Sequence, residues 1–285
     1  MSRIAYVNGR YLPAREATVN VEDRGYQFAD GVYEVCEVRG GKLVDAPRHL
    51  ARLQRSLNEL RIAEPMPPAA LQFVMSETVR RNRVDYGLVY LQITRGVARR
   101  EHAFPLGSVR PSVVVTARNL NYEKNQQTAK KGIAVITTPE NRWPRVDIKS
   151  VSLLPNVLAK QAARDRGAYE AWFVDAQGFV TEGSSSNAWI ITRDGRVVTR
   201  PIDNRILSGI TRAVLLNVLE AMQLRLEERA FTAAEAYEAK EAFVTSASQI
   251  VMPVVSIDGH AIDGGQPGAL SQRLREEFHR FAHFS

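Results

Sequence analysis

A short polar run between two strongly apolar stretches constrains this fold more than any other feature. Residues 171–174 (AWFV) and 188–191 (AWII) have the aromatic and β-branched composition of buried strands. Between them, residues 181–187 (TEGSSSN) supply a carboxylate, a glycine and three consecutive serines. Small side chains let a ligand approach the backbone, and hydroxyl and amide groups can orient it. The pattern predicts two strands joined through a turn that lines a ligand.

A single lysine, Lys149, stands in a β-like run upstream, between Ile148 and Val151. Lysine is seldom buried without a reason, so Lys149 is either an edge residue with its amine in solvent or a deliberately placed nucleophile. Together with Glu182 in the polar run it offers an amine and a carboxylate that could hold a heterocyclic nitrogen protonated. These are the two groups that pyridoxal phosphate chemistry needs.

The composition fits a globular protein of one large or two ordinary domains. The chain has 285 residues, of which 45% are hydrophobic. Its formal charge is +7 and its pI about 9.7, but the basic residues are scattered rather than grouped in runs. We therefore expect the charge to attract small anionic substrates and expect no nucleic acid partner.

Cysteine and histidine usage argues against disulfide and metal frameworks. Cys36 is the only cysteine, which excludes an intrachain disulfide and fits a reducing compartment. The five histidines are too dispersed to predict a metal site. The chain begins with a strand pattern rather than a signal peptide, and no apolar run approaches the ~18 residues of a membrane span. We expect a cytoplasmic protein with no membrane contact.

Strand and helix patterns alternate without a regular βαβ rhythm, which favours an α+β fold. Leucines at positions 50, 53, 57 and 60 recur at helical spacing and predict a helix that opens at Pro47. A polar, weakly patterned stretch predicts a linker at 119–130. We therefore expect an N-terminal α+β domain over 1–118 and a C-terminal α+β domain over 131–285 that carries Lys149.

Residues 208–211 (SGIT) precede an apolar-periodic helix and would lie at its N-terminus. Free backbone amides and the helix dipole favour an anion at such a position. The same residues would serve equally well as an ordinary helix cap. The segment alone does not decide between these two roles.

Taken together, the sequence resembles the fold type IV pyridoxal-phosphate enzymes, and among them most the D-amino acid aminotransferases. The resemblance extends from residues 22–28 to the last strand pattern around Ser246. Three motifs follow the family's order along the chain: residues 147–150, 181–187 and 209–211. In that family the fold is two α+β domains with the cofactor, pyridoxal 5'-phosphate, in the interdomain cleft.

The resemblance implies a role for each matching residue. Lys149 is similar to the lysine that forms a Schiff base with the cofactor, Glu182 to the partner of the pyridine nitrogen, and Arg52 to the arginine that grips the phosphate. Further implied contacts to the cofactor ring or phosphate are Leu207, Gly209, Ile210, Thr211, Ser246 and Ala247. Ala247 lacks the hydroxyl that the family carries there, so only its backbone amide could make that contact.

The substrate class follows from a smaller set. Arg100 and His102 resemble an Arg-x-His element that traps the substrate carboxylate in this family, and Tyr33 matches the tyrosine that completes it. A guanidinium, an imidazole and a phenol can surround an anion, although the same loop without the resemblance would read as a solvated basic loop. The resemblance implies transamination of D-amino acids such as D-alanine, with 2-oxoglutarate as acceptor. Glu101, beside the trap, would tune which side chains are accepted.

Members of this family are homodimers, so the resemblance also implies a homodimer. Three other reactions on the same fold stay open: a branched-chain L-amino acid aminotransferase, an (R)-amine transaminase and an aminodeoxychorismate lyase. The amine transaminase should lack a dedicated carboxylate trap, so Arg100 and His102 argue against it. A cofactor-free interaction protein is the alternative from another class, and Lys149 with Glu182 argues against it.

Overall fold

The computed structural model describes residues 3–285, which form two compact units. Each unit has its own hydrophobic core. The first unit holds the described chain as far as Asn121, with Ile148–Ser152 and His283–Ser285, and the second holds Tyr122–Asp147 and Leu153–Ala282. None of the helices within residues 3–285 is long and apolar enough to cross a membrane.

Lys149 belongs to the first unit, whereas the sequence pattern predicts it in the C-terminal domain. The reason is a pairing between distant segments. The Tyr33 backbone N–H donates to the Lys149 carbonyl at 3.0 Å, and the Val151 N–H donates to the Gly31 carbonyl at 3.0 Å. A division into contiguous sequence blocks cannot anticipate a segment that returns to an earlier strand.

One six-stranded antiparallel sheet organises the first unit, with strand order β2-β1-β6-β5-β3-β4. Its strands are β1 (Ile4–Val7), β2 (Arg10–Pro13), β3 (Gly31–Arg39), β4 (Lys42–Leu43), β5 (Tyr86–Thr94) and β6 (Ser112–Asn119). Its helices are α1 (Arg24–Phe28), α2 (Ala46–Glu59) and α3 (Pro68–Asn82). The helix predicted from the leucine spacing is α2, and it buries Leu50, Leu53 and Leu57 in the core of this unit.

A nine-stranded mixed sheet organises the second unit, in the order β12-β11-β10-β13-β14-β7-β8-β9 with β15 beside β14. Its strands are β7 (Ile133–Pro139), β8 (Glu170–Val174), β9 (Val180–Gly183), β10 (Asn187–Ile191), β11 (Val197–Thr199), β12 (Leu226–Glu228), β13 (Glu241–Ser246), β14 (Ile250–Ile257) and β15 (His260–Ala261). Its helices are α4 (Tyr122–Lys131), α5 (Leu154–Asp165), α6 (Ile210–Ala221), α7 (Ala233–Tyr237) and α8 (Ala269–Phe281). The stretch predicted as a linker at 119–130 contains the last residue of β6 and most of α4.

Both faces of β10 are buried, which explains its unbroken apolar sequence. Trp189 and Ile191 pack into a cluster with residues of α6 and α8, and Ala188 and Ile190 pack into a second cluster on the other face. Alternate residues of a strand point to opposite faces, so burial of both faces requires a continuous apolar run. The mixture of sheets and helices confirms the α+β prediction.

A buried carboxylate from the sheet caps the N-terminus of α8. Glu241, at the start of β13, accepts the backbone N–H groups of Leu270 at 3.0 Å and Ser271 at 2.8 Å. Gly268 makes this approach possible, because a Cβ atom there would lie 1.9 Å from the Glu241 carboxyl carbon. The carboxylate thus satisfies two amides that the helix itself leaves unpaired.

We expect Glu241→Ala to lower the free energy of unfolding by about 2–3 kcal/mol, because hydrogen bonds to a charged acceptor are lost and two helix amides lose their partner. Urea unfolding followed by circular dichroism would measure the change. Glu238→Ala, at an exposed position nearby, is the matched control and should leave the midpoint unchanged. Equal midpoints for the two variants would contradict the capping role.

Candidate active site

Helix α2 places Arg52 against a buried carboxylate of β3. Arg52 Nε donates to Glu34 Oε1 and Arg52 Nη2 to Glu34 Oε2, each at 2.8 Å. The Glu34 side chain is fully buried, and His49, one turn earlier on α2, lies with Nδ1 2.7 Å from Oε2. This two-pronged bond fixes the plane of the Arg52 guanidinium.

The contacts among Glu34, His49 and Arg52 determine which of these side chains are charged. Burial by itself would raise the pKa of Glu34, but Arg52 and His49 lower it to about 2. Burial lowers the pKa of His49, and this effect exceeds the opposing attraction of Glu34. At neutral pH Glu34 is therefore ionised and His49 neutral, so His49 Nδ1 must carry the hydrogen that Glu34 accepts.

The same face of α2 also reaches Lys149. Ser56, fully buried one turn beyond Arg52, accepts a hydrogen bond from the Lys149 backbone N–H at 3.3 Å. The half-buried Lys149 side chain places its Nζ 4.2 Å from the centroid of the Tyr33 ring. Tyr33 in turn stacks on Tyr90 of β5, with ring centroids 5.7 Å apart. The lysine backbone is thus held by β3 and α2, and its amine faces an aromatic ring.

In the second unit, Glu182 on β9 is a buried carboxylate, and both of its oxygens accept hydrogen bonds. Arg142 Nη1 donates to Oε1 at 2.6 Å, and Asn187 Nδ2 and the Leu207 backbone N–H each donate to Oε2 at 3.0 Å. Burial opposes the charge of Arg142, but Glu140 and Glu182 raise its pKa. Because its neighbour Arg142 is always charged, Glu182 is held as a carboxylate.

Asn187 joins this carboxylate to the start of α6. Besides Glu182, its amide donates to the Leu207 carbonyl at 2.9 Å. A Cβ atom on Gly209 would lie 2.1 Å from Asn187 Oδ1, so only glycine fits at this N-cap position. Glycine itself supplies no capping side chain to the first turn, which begins with Ile210 and Thr211. The first amides of a helix have no acceptor within the helix, so they suit an anion such as a phosphate.

Strand β13 brings Ser246 and Ala247 to the same end of the sheet. The sheet register pairs Asn187 with Thr245, the residue before Ser246. Ser246 ends β13, and its Oγ lies 3.4 Å from Ser248 Oγ. Ala247 follows in the turn, where it offers a backbone amide but no hydroxyl.

The three serines of the polar run bind a protein carboxylate. Ser185 Oγ and Ser186 Oγ donate to Glu170 Oε2 at 3.0 and 3.1 Å, and Ser184 Oγ donates to Glu170 Oε1. The sequence analysis interpreted these hydroxyls as lining a ligand. In the structure they fix the turn that follows Glu182, and Glu170 on β8 is the group that aligns them.

Arg100 and His102 lie on an exposed loop after β5, both against Phe28 of α1. The Arg100 guanidinium carbon is 5.0 Å and the His102 ring centroid 5.4 Å from the Phe28 ring. Arg24, also on α1, donates to the backbone carbonyls of this loop. Tyr33 lies instead among Lys149 and Tyr90 in the same chain. The structure thus groups Arg100 with His102 and places Tyr33 with the lysine.

Several residues that shape the site were not anticipated from the sequence. They share one property, which is that they hold a predicted residue in place: Glu34, His49, Ser56, Arg142, Asn187, Glu170 and Arg24. His49 and Ser56 could have been found, because they lie three residues before and four residues after Arg52 on the same face of a predicted helix. Arg142 and Arg24 carry no such signal, since their partners are remote in sequence.

The donor groups fit pyridoxal 5'-phosphate. Lys149 offers an amine for its aldehyde, Glu182 an ionised carboxylate for its ring nitrogen, and Arg52 a fixed guanidinium for its phosphate. In the second unit, the backbone donors at the start of α6, where Gly209 is the N-cap residue, also suit a phosphate group. Among residues 3–285 no group of three or more histidine, cysteine, aspartate or glutamate side chains is placed to bind a metal ion.

The depressed pKa of Glu34 predicts a specific loss of stability in acid. A carboxyl whose folded pKa, about 2, lies below its unfolded value stabilises the fold above the unfolded pKa and loses that contribution as pH falls toward 2. We expect Glu34→Gln to be less stable at pH 7, by about 3–5 kcal/mol, because Arg52 keeps a buried charge without its partner. Its thermal midpoint should then fall less steeply than that of the wild type between pH 5 and pH 2.5.

Thermal unfolding at several pH values would compare the two slopes. Glu64→Gln, at an exposed carboxylate of the same unit, is the matched control and should keep the wild-type slope. Parallel curves for Glu34→Gln and the wild type would contradict this account of the buried cluster.

Comparison with known proteins places the chain in a family. Residues 31–257 match the model of the family described as amino-transferase class IV. The chain is also similar to D-alanine aminotransferases over nearly its full length. The relative from Bacillus licheniformis is 41% identical over 268 residues, which cover 94% of this chain and 93% of the relative. The relative from Staphylococcus aureus strain MSSA476 is 38% identical over 277 residues, which cover 97% and 96%.

Solved structures give the same fold. The branched-chain amino acid aminotransferase of Escherichia coli matches with a TM-score of 0.90 at 20% identity, over 98% of this chain and 94% of that chain. The corresponding enzyme of T.th., solved with pyridoxamine 5'-phosphate, matches with a TM-score of 0.89 at 26% identity, over 98% and 94%. The chain therefore belongs to the class IV aminotransferases, the fold type IV enzymes that use pyridoxal phosphate.

Proposed function

We propose that the protein transfers the amino group of D-amino acids, with D-alanine as a donor, to 2-oxoglutarate. The observation that carries the proposal is the similarity to D-alanine aminotransferases, 38–41% identity over more than nine-tenths of the chain. The candidate site residues agree with it. The chain offers the amine, the buried carboxylate and the fixed arginine that the cofactor needs, and a separate loop carries Arg100 and His102 for an anionic substrate.

Lys149 is the proposed catalytic residue. When bound, pyridoxal phosphate supplies an aldehyde that condenses with amines and a protonated ring that draws electrons from the substrate α-carbon. Lys149 Nζ would bind the cofactor through its aldehyde group and, as a free amine, would be the base that removes the substrate α-proton. The contacts of its backbone with Tyr33 and Ser56 keep the chain at this position fixed while the side chain moves.

The other cofactor contacts are electrostatic. Glu182, held ionised beside Arg142, keeps a proton on the ring nitrogen. Arg52 would bind the phosphate dianion through its guanidinium, and the backbone amides that begin α6 are donors of the kind a phosphate needs. Leu207 would contact the ring, and its backbone N–H donates to Glu182 at 3.0 Å. Ser246 and the backbone of Ala247 complete the phosphate contacts at the end of β13.

Arg100 and His102 bind the α-carboxylate of the substrate, and Tyr33, which lies beside Lys149 within one chain, completes the trap in the homodimer. A dedicated trap for this carboxylate distinguishes an amino acid aminotransferase from an enzyme that acts on simple amines. We further propose that the protein works as a homodimer in the cytoplasm. Arg100 and His102 are exposed in the single chain, as expected of groups that become enclosed on assembly.

The visible spectrum of the purified protein tests the reaction. We expect a yellow protein, the colour of pyridoxal phosphate bound to a lysine, whose visible absorbance is bleached by D-alanine but not by L-leucine and is restored by 2-oxoglutarate. Lys149→Ala should lack the lysine-linked absorbance and should form the 2-oxo acid product from D-alanine at least about 10³-fold more slowly, because the general base is removed. Lys42→Ala, at an exposed lysine of the first unit, is the matched control and should retain activity.

Each outcome of this test is decisive. Bleaching by L-leucine alone would overturn the D-amino acid assignment and leave the cofactor intact. A protein that stays colourless after addition of pyridoxal phosphate would overturn the enzyme proposal altogether.

Variants of the loop test the carboxylate trap. We expect Arg100→Ala to raise the KM for D-alanine by about 10- to 100-fold, the size expected when a charge-assisted hydrogen bond is lost. Steady-state kinetics would measure it. Arg99→Ala removes the same charge from the neighbouring exposed position and should leave KM within about twofold, because rim charges at exposed sites contribute little. An equal effect of both variants would show that net charge, and not a trap, governs binding.

A further inference from the structure

We propose that Phe104 and Arg24 are positioning residues that clamp the loop carrying Arg100 and His102. The inference rests on the proposed function, since it concerns the loop to which that proposal assigns the substrate carboxylate. The loop has no regular secondary structure and most of its residues are exposed. Within the loop, the His102 backbone N–H donates to Glu101 Oε1 at 2.9 Å. The contacts that attach the loop to the rest of the unit involve Arg24 and Arg95.

Arg95, at the end of β5, forms a rigid platform for the clamp. Its Nε and Nη2 donate to the two oxygens of Asp30 at 2.7 and 3.0 Å. Its remaining donors reach the backbone carbonyls of Arg61 at 2.9 Å and Leu60 at 2.7 Å. Four hydrogen bonds fix the plane of the guanidinium, and its side chain is 9% exposed. A group held in this way can orient whatever packs on its face.

Phe104 packs on that face. The centroid of its ring lies 3.7 Å from the guanidinium carbon of Arg95 and 4.7 Å from that of Arg61. Both arginines therefore contact one aromatic ring, although Phe104 itself remains 44% exposed. Burial alone does not account for a large apolar side chain at this position. Its contacts are cation–π contacts, which attach the chain two residues beyond His102 to the body of the unit.

Arg24 holds the loop at a second point. Its Nη1 donates to the Glu101 carbonyl at 2.6 Å and its Nη2 to the His102 carbonyl at 3.4 Å. Its Nε donates to Asp30 at 2.8 Å, so the carboxylate that fixes Arg95 also fixes Arg24. The side chain of Arg24 is 3% exposed, which makes these backbone contacts part of the unit's interior.

The two attachments hold the loop at His102 and directly after it. Arg24 binds the carbonyls of residues 101 and 102, and Phe104 attaches the chain two residues further on. On the other side of Arg100, the Ala98 backbone N–H donates to the Glu22 carbonyl at 3.4 Å. The side chains of Arg100 and His102 both lie against the ring of Phe28. Recognition of a carboxylate by two groups loses affinity when those groups must first be ordered. The clamp therefore acts on substrate affinity and leaves the chemistry at Lys149 untouched.

Phe104→Leu tests the clamp in the intact holoenzyme. We expect the KM for D-alanine to rise about fivefold with kcat within about twofold, because the cation–π contacts are lost while a side chain of similar bulk remains. The separate variant Phe104→Tyr keeps the aromatic face and should therefore have the KM of the wild type. Leu106→Ala is the matched control, since Leu106 lies on the same loop, is fully exposed and makes no contact that the clamp uses. Thermal midpoints of all variants would be measured alongside.

A double variant separates the clamp from the trap. If the clamp acts through Arg100, Phe104→Leu should add less than about twofold to the KM of Arg100→Ala, because two residues that act as a unit are not additive. An unchanged KM in Phe104→Leu, while Arg100→Ala shows its expected increase, would overturn the clamp and leave the proposed function standing. The clamp would also be overturned if Phe104→Leu raised KM and lowered kcat by similar factors and Phe104→Tyr showed the same changes. An unchanged KM in Arg100→Ala would contradict the proposed role of Arg100 in binding the substrate carboxylate, and the proposed clamp would then be contradicted as well.

Discussion

The bidentate bond between Arg52 and Glu34 is the interaction on which the first unit's part of the site depends. A carboxylate with no exposed surface is costly to ionise, and here it is ionised because one guanidinium and one imidazole surround it. The bond locks α2 onto β3. One turn further along the same helix face, Ser56 accepts the backbone N–H of Lys149. A single buried pair therefore orients the arginine proposed for the phosphate and, through the helix it anchors, the backbone of the proposed catalytic lysine.

The second unit also contains a buried carboxylate beside an arginine, but the two residues have the opposite roles. In the first unit Glu34 orients Arg52, which is proposed to bind the cofactor, whereas here Arg142 orients Glu182, which is proposed to bind it. Arg142 is bound to Glu140 as well, so its charge is shared and Glu182 keeps its negative character. Asn187 then links Glu182 to Leu207 and to the glycine before α6. The ring-nitrogen contact and the phosphate contact proposed for this unit are thus set by one asparagine.

The sequence allowed the elements and the reactive groups to be predicted, and not the contacts that hold them. Helix α2 follows from leucine spacing, and β8 and β10 follow from their apolar runs, because local periodicity reports burial directly. The place of Lys149 in the first unit could not be predicted, since it depends on a bridge to β3 more than a hundred residues earlier. The contact of Arg24 with the Glu101 carbonyl spans 77 positions. Its acceptor is a backbone group that every residue type carries, so no side-chain pattern could mark it.

Arginine and lysine serve separate purposes in this protein. Arg24, Arg52, Arg95 and Arg142 are buried or nearly so, and each is bound by a carboxylate in a planar, multi-donor arrangement that lysine cannot reproduce. Together, the charges of these four arginines are balanced by the carboxylates that bind them: Asp30, Glu34, Glu140 and Glu182. The positive excess of the chain therefore resides on its other basic residues, where it can attract anionic substrates. Lys149 differs in that its amine faces the ring of Tyr33. Within residues 3–285, the aromatic face positions the amine without an ion pair. The buried ion pairs of these four arginines therefore involve residues that hold the site in place, and the proposed catalytic lysine contacts an aromatic ring instead.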